Sequence, residues 1–407
     1  MAIDHQGEIH GKAFVAMAIP AHQGNSVEQD PAIWWQAVQQ VLSELGKQLS
    51  FKNIKAICLD GTSGTVVAID EKGNPLHPGL MYNDSRSLGQ AAHIANYAPQ
   101  ESAAHGVSST LAKALWLQEH LADKTIHRFV NQSDWIVGQL SEHFDLSDYN
   151  SCIKLGFDAI QRKWPAWITQ LGISIEQLPK VFAPGTAITP ISDEIADRFG
   201  FPHKTPIIAG TTDSSAAIYA TGAMNPGEAI TSLGSTLVTK VISENPIFLP
   251  SAGVYSQPFG KYWLVGGGSN SGGNVLLHYF SPQQMKAMSK KVDPEQPTSL
   301  DYYPLITPGE RFPIDDPHLT PRLTPRPDDD VAFFQGLLEG IANIEKQAYD
   351  LLHTLGTPYP TCVYSAGGGA KNEAWSRIRG NILNVEMRHP EQQDAAYGVA
   401  TIARNGA

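Results

Sequence analysis

Pro206-Ile207-Ile208-Ala209-Gly210-Thr211-Thr212-Asp213-Ser214 is the stretch on which the reading of this chain turns. An apolar, β-compatible run meets a polar turn, and the small residues from Ser214 to Ala220 then read as a helix. Asp213 sits at the mouth of the strand. A carboxylate there can accept the proton of an attacking hydroxyl during transfer of a γ-phosphate. It can equally cap the helix that follows, which Asp does well after a strand. The local sequence leaves both readings open.

Three further turns share the pattern. Ile54 to Leu59 reads as a strand running into Asp60-Gly61-Thr62-Ser63-Gly64, with another strand over residues 65–70. Ala229 to Lys240 reads as a hairpin with its tight turn at Gly234, followed by Ser235 and Thr236. A strand over Cys362 to Ser365 leads to Gly367-Gly368-Gly369, and a helix starts at Asn372. Such turns aim backbone N–H groups and hydroxyls at one point and so suit phosphate without any net positive charge. Taken singly, each reads first as an ordinary tight turn. The chain contains no G-x-x-x-x-G-K-[ST] and no G-x-G-x-x-G, so neither a Walker-type nor a dinucleotide-binding fold is supported.

The rest of the chain frames these turns. Lys12 to Ile19 is apolar and predicts a strand, and residues 31–49 carry apolar side chains at helical spacing. Residues 86–182 read as mostly helical, residues 305–330 as a long Pro- and Asp-rich surface connection, and residues 331–355 and 395–404 as helices. At 407 residues the chain is long for a single core, and a boundary is expected near Gly222 to Gly227. Net charge is −11, which repels a polyanion on average, so no nucleic-acid partner is expected. Cys58, Cys152 and Cys362 lie far apart with no zinc or disulfide spacing, which points to a reducing compartment. No run approaches the roughly 18 apolar residues of a membrane span. Asp4, His5 and Glu8 stand where a secretory leader would be basic and then apolar, so a cytoplasmic chain with no membrane partner is expected.

Asp60-Gly61-Thr62-Ser63-Gly64-Thr65, Leu80-Met81-Tyr82-Asn83-Asp84, Ser147-Asp148-Tyr149-Asn150, Gly210-Thr211-Thr212-Asp213-Ser214, Ser232-Leu233-Gly234-Ser235-Thr236 and Ala366-Gly367-Gly368-Gly369-Ala370-Lys371-Asn372 occur in this order. Together they resemble the FGGY carbohydrate kinases. That resemblance implies an α/β fold of two ribonuclease-H-like domains, of the actin, Hsp70 and hexokinase type, with a cleft between them. It divides the chain into a sugar-binding domain over 1–222 and a nucleotide-binding domain over 223–407. It implies ATP-dependent phosphorylation of a sugar, with ATP and Mg²⁺ as cofactors and Asp213 as the base. Gly234, Ser235 and Thr236 would form a phosphate loop, and Gly367, Gly368, Gly369 and Asn372 would line the adenosine pocket. Asp60, Gly61, Thr62, Ser63, Asn83 and Asp84 would face the sugar. Gly266 to Gly273 either borders the nucleotide or packs closely as a hairpin. The only metal contact it suggests is Asp213, through Mg-ATP.

The run Asp301-Tyr302-Tyr303-Pro304-Leu305 with Pro308-Gly309-Glu310-Arg311-Phe312-Pro313 is similar to cyanobacterial and plastid xylulokinase-like D-ribulose kinases, which implies a ketopentose substrate, D-ribulose or D-xylulose. Family members open with a strand ending in Asp-x-Gly-Thr and a second strand closing with Asp-x-x-Gly. Met1 to Gly7 matches only the end of that second strand. The resemblance therefore predicts a first domain lacking its opening strand and the phosphate turn that strand carries. The alternative it leaves is a truncated, catalytically impaired sugar or nucleotide binder. An Hsp70-like chaperone is disfavoured, because Asn83-Asp84 and Asp148 to Asn150 suit a small polyol. Which sugar is used, and the oligomeric state, stay open.

Overall fold

In the computed structural model, which describes residues 1–406, Pro206–Thr212 forms a strand and the helix Asp213–Ala220 follows it directly. The strand pairs in parallel with Ile57–Gly61 and antiparallel with Ala187–Pro190. Its parallel register sets Thr211 beside Asp60 and Thr212 beside Gly61, so the turns at Asp60 and Asp213 become neighbours. Gly210 is required at this crossing, since a Cβ there would overlap the Leu59 carbonyl oxygen.

The small residues of Asp213–Ala220 let another helix approach closely. That helix is Ala395–Gly406, and a Cβ at Gly398 would overlap the Ala216 carbonyl. Val399, Ile402 and Ala403 are buried on the same face. The chain accordingly divides into one compact unit of Met1–Ala220 plus the segment from Asp394 onward, and a second of Thr221–Gln393. The last helix, expected in the second domain, packs in the first unit because its small-residue face matches that of Asp213–Ala220.

The first unit also holds a five-stranded sheet, in the order Ala21–Gln23, Ser26–Gln29, Gly79–Leu80, Val66–Ile69, Arg128–Asn131. All four residues of Val66–Ile69 are fully buried, because both faces of that strand are covered. Two expectations fail here. Residues 12–19 form no strand: pairing occurs instead at Ile9–Gly11 and Ala21–Gln23, and Phe14 and Ile19 stay 85% and 92% exposed. An apolar pattern becomes a strand only where a neighbour completes its backbone hydrogen bonds. Residues 86–182 are not uniformly helical either, since Arg128–Asn131, Leu146–Asp148 and Lys180–Phe182 are short strands between the helices.

The second unit is built on a six-stranded sheet, in the order Tyr255–Phe259, Tyr262–Ser269, Leu237–Ser243, Glu228–Leu233, Cys362–Ala366, Glu386–Arg388. The last three strands run parallel. Helix Asp330–Thr354, capped by Asp329, buries Phe334, Leu337 and Ile341 beneath the sheet. Beside them Glu345 and Arg379 form a fully buried ion pair with two short bonds of 2.6 and 2.7 Å. Arg379 also donates to Ser365 Oγ at 2.7 Å, and Thr231 donates to Glu345 at 2.6 Å. Every partner of the pair is therefore committed. Arg379→Met should cost about 3–5 kcal/mol in urea unfolding, because it strands a buried carboxylate. Removing the exposed Arg377–Glu295 pair should cost less than about 1 kcal/mol. Equal losses for the two would show that the buried pair is not structural.

Candidate functional site

In the first unit, Asp213 is half-buried at the start of its helix. Its carboxylate accepts from the adjacent Ser214 N–H at 2.6 Å. A capping side chain bonds the second or third N–H beyond it, so this contact is not an ordinary N-cap. Burial lifts the Asp213 pKa above the usual carboxylate range, while the Ser214 N–H and the Lys154 ammonium pull it back. Asp60, on the adjoining strand, is pushed up to about 6, first by burial and then by the charge of Asp213. The negative charge of Asp213 thus disfavours ionisation of Asp60.

The turn after Asp60 is tightly held. Thr62 donates through both its N–H and its hydroxyl to Gln132 Oε1, at 3.0 and 2.9 Å, and its hydroxyl meets that of Thr65 at 2.6 Å. Its polar groups thus build the turn. Gly61 faces Ser133, and a Cβ there would lie 3.0 Å from the Ser133 nitrogen. Two lysines that sequence reasoning missed complete the arrangement. Lys113 is fully buried, and its ammonium donates to the carbonyls of Gly64 (2.7 Å), Ser108 (2.9 Å) and Tyr82 (3.3 Å). Burial pushes its pKa down to about 7. Lys154 reaches the Ser63 carbonyl at 3.5 Å. A cation inside an apolar-looking helix such as Thr110–His120 was the available signal for Lys113.

Asn83 and Asp84 part company. Asn83 is exposed, whereas Asp84 is fully buried. Asp84 accepts from the Val27 N–H at 2.6 Å and from the Arg86 guanidinium at 2.6 to 3.1 Å. Arg86 in turn donates to Glu28 at 2.6 Å and lies over the Trp116 ring. Direct sugar contact expected of Asp84 is therefore corrected to a role in holding Arg86, because its oxygens are already engaged. Asp148, expected from its motif, caps the short helix Tyr149–Cys152, and Asn150 Nδ2 donates to Thr211 Oγ1 at 2.9 Å.

In the second unit the two remaining turns come together. Ser232 pairs with Ala366 at the ends of parallel strands, so the turns at Gly234–Thr236 and Gly367–Lys371 sit side by side. Gly367 has φ +82°, and a Cβ there would lie 2.8 Å from the Leu233 carbonyl oxygen. Gly234, Ser235, Gly368, Gly369 and Asn372 line one cavity of about 1090 Å³, while Thr236 and Gly367 do not. Asn372 is doubly used: its Oδ1 accepts from Trp375 N–H, and its Nδ2 donates to Ser289 Oγ at 2.9 Å. The opposite wall is the helix Pro282–Ser289, with Met285 and Lys286, which sequence reading left unassigned. Its Ser281/Gln284 capping box was the signal that could have found it. Of the Gly266–Gly273 stretch, Gly266 and Gly267 serve close packing, against Thr239 and Phe312, and Gly273 lines the cavity. The chemistry differs between the units: paired carboxyls beside a turn in one, a glycine-walled cavity in the other. Among the described residues no group of three His, Cys, Asp or Glu side chains could hold a metal ion, and no helix is long and apolar enough to cross a membrane.

The model of the FGGY family of carbohydrate kinases, N-terminal domain, matches residues 1–220, and that of its C-terminal domain matches residues 229–405. The chain is 24% identical to the xylulose kinase of Escherichia coli (strain K12), over 99% of this chain and 86% of that protein. It is 23% identical to the gluconokinase of Bacillus subtilis (strain 168), over 96% of this chain and 81% of that protein. Among solved structures, a xyloylose kinase from Brucella ovis superposes with a TM-score of 0.89 at 24% identity, covering 100% of this chain and 88% of that one.

Lys154→Met should raise the Asp213 pKa further, since it removes the cation that favours the charged carboxylate. Carboxyl ¹³C NMR titration measures this, and an unmoved Asp213 would show that Lys154 does not act on it.

Proposed function

The chain belongs to the FGGY family of carbohydrate kinases, and on that premise we propose that it transfers the γ-phosphoryl group of ATP to a terminal hydroxyl of a ketopentose, D-ribulose or D-xylulose. Asp213 carries this reading: a half-buried carboxyl with a raised pKa, beside the Asp60–Ser63 turn, in the place a base is needed. As the sugar oxygen forms its bond to the γ-phosphorus, Asp213 takes the hydroxyl proton. The bond from the γ-phosphorus to the β,γ-bridging oxygen breaks, and ADP leaves with that electron pair. A raised pKa makes the carboxylate a stronger base for this proton.

In this reading the first unit binds the sugar. Ser63 and Asn83 are the contacts, and Asp84, Arg86 and Lys113 fix the segments that carry them. The second unit binds the nucleotide, with phosphate at Gly234 and Ser235 and the base and ribose against Gly368, Gly369 and Asn372. FGGY kinases use ATP. Mg²⁺ demands only one or two protein carboxylates when it is carried on a nucleotide. Asp60 and Asp213, whose mutual repulsion marks a local excess of negative charge, fit that demand. Such an ion supplies charge neutralisation at the transferred phosphate. The run Asp301–Leu305 with Pro308–Pro313, similar to that of xylulokinase-like D-ribulose kinases, supports the ketopentose reading. Three unpaired cysteines support a cytoplasmic setting.

ATP turnover by the purified chain should rise on adding D-ribulose or D-xylulose and not on adding gluconate. Asp213→Asn should lower kcat by about 10²–10⁴ while calorimetric ADP binding persists. The acid limb of kcat/KM should have its midpoint above the ordinary carboxylate range, because the base must be ionised and its pKa is raised. Stimulation by gluconate alone would transfer the assignment to a gluconokinase. Nucleotide binding with no turnover on any sugar would leave a binder without catalysis.

A further inference from the structure

Glu310 lies far along the chain from every turn discussed above, on the long connection after residue 305, yet it is almost completely buried. Its carboxyl group accepts from four neutral donors. Oε2 takes Ser269 Oγ at 2.5 Å and Tyr303 OH at 3.1 Å, and Oε1 takes the N–H of Asn270 at 2.7 Å and of Arg311 at 2.9 Å. Two more bonds fasten the connection to the same place: Arg311 Nε to the Gly268 carbonyl at 2.7 Å, and Asn270 Nδ2 to the Gly309 carbonyl at 3.0 Å.

The segment held in this way leads to the phosphate turn. Ser269 Oγ accepts from the Ser271 N–H at 2.9 Å, and the Ser271 carbonyl accepts from Leu237 N–H at 2.8 Å. Gly273 N–H then donates to the Gly234 carbonyl at 2.9 Å, and Asn274 N–H to the Ser235 carbonyl at 3.1 Å. Between them Gly272, at φ +143°, lies so close to Thr236 that a Cβ would fall 2.7 Å from that residue's backbone. The carbonyls of Gly234 and Ser235 are therefore tied back, and both residues line the cavity. A turn fixed before the ligand arrives binds phosphate without spending energy on ordering.

We infer that Glu310 is the positioning residue of the Gly234–Thr236 turn, acting through Ser269 and the segment to Asn274. It makes the long connection part of the nucleotide site without touching the nucleotide. The inference rests on the nucleotide reading of the second unit and adds to it a residue on which phosphate recognition depends. A buried carboxyl surrounded only by neutral donors is a costly way to tie down a loop, because four bonds must offset the loss of hydration. Its value lies in bonding two backbone N–H groups and two hydroxyls at once, which a single amide cannot do.

Glu310→Gln and Ser269→Ala break the relay at successive links and test it. Calorimetry on the full chain would compare ADP, which has phosphates for the turn, with adenosine, which has none. Both variants should weaken ADP binding roughly tenfold, the size of one well-placed bond, and leave adenosine within about twofold. The KM for ATP should rise with ADP dissociation, and the KM for the sugar should hold. Equal weakening of ADP and adenosine would reduce Glu310 to a general structural role, and unchanged ADP binding in both variants would overturn the inference. Wild-type protein that binds no ADP would overturn the nucleotide reading itself, and this outcome is distinct from the other two.

Discussion

The Glu345–Arg379 pair is the constraint on which the second unit rests. It lies beneath strands Glu228–Leu233 and Cys362–Ala366, reaching Thr231 of one and Ser365 of the other. These are the strands whose ends become the two glycine turns. An ion pair without water is stable only if each charge finds all its partners. Here the guanidinium is shared between carboxylate and hydroxyl, and the carboxylate between guanidinium and Thr231, whose hydroxyl also meets Tyr349 OH at 2.7 Å. Sliding either strand by one residue would turn its polar group to the wrong face and leave a bare charge. The pair therefore fixes register, and register fixes which residues stand at the cavity.

The first unit achieves the same end with different chemistry. Lys113 gathers three carbonyls from three separate segments onto one ammonium, so the Asp60 turn, Tyr82 and Ser108 cannot move apart independently. Asp84 does the converse, collecting donors from Val27 and Arg86 onto one carboxylate. Close backbone approach supplies the remaining precision. Gly210 and Gly398 admit the strand and the helix that flank Asp213, so a residue with little around it in sequence is surrounded in space.

The turns were legible because each depends on local chemistry: an apolar strand, then glycine and hydroxyl residues, then a helix or a second strand. Asp213, Gly234–Ser235 and Gly367–Gly369 all lie where that pattern put them. Residues whose task is set by distant partners were not legible. Asp84 was expected to face the sugar because nothing nearby in sequence announces Val27, and Lys113 lay in a helix with no local sign of the carbonyls it meets. The apolar run 12–19 misled for the same reason, since strand formation is decided by a neighbour and not by the run. The helix from Ala395 looked like part of the nearest domain in sequence, while its glycine face packs against a helix some 180 residues earlier.

That last helix has a consequence for how the protein is made. Because the segment from Asp394 onward completes the first unit, Thr221–Gln393 is an insertion within it, contiguous in sequence. During synthesis the inserted unit has its whole core available before the first unit has its closing helix. The helix that carries Asp213 thus waits, with its Ala216 face uncovered, until the segment from Asp394 onward has emerged. Order of emergence from the ribosome is then the reverse of order of completion: the unit that starts first is finished last.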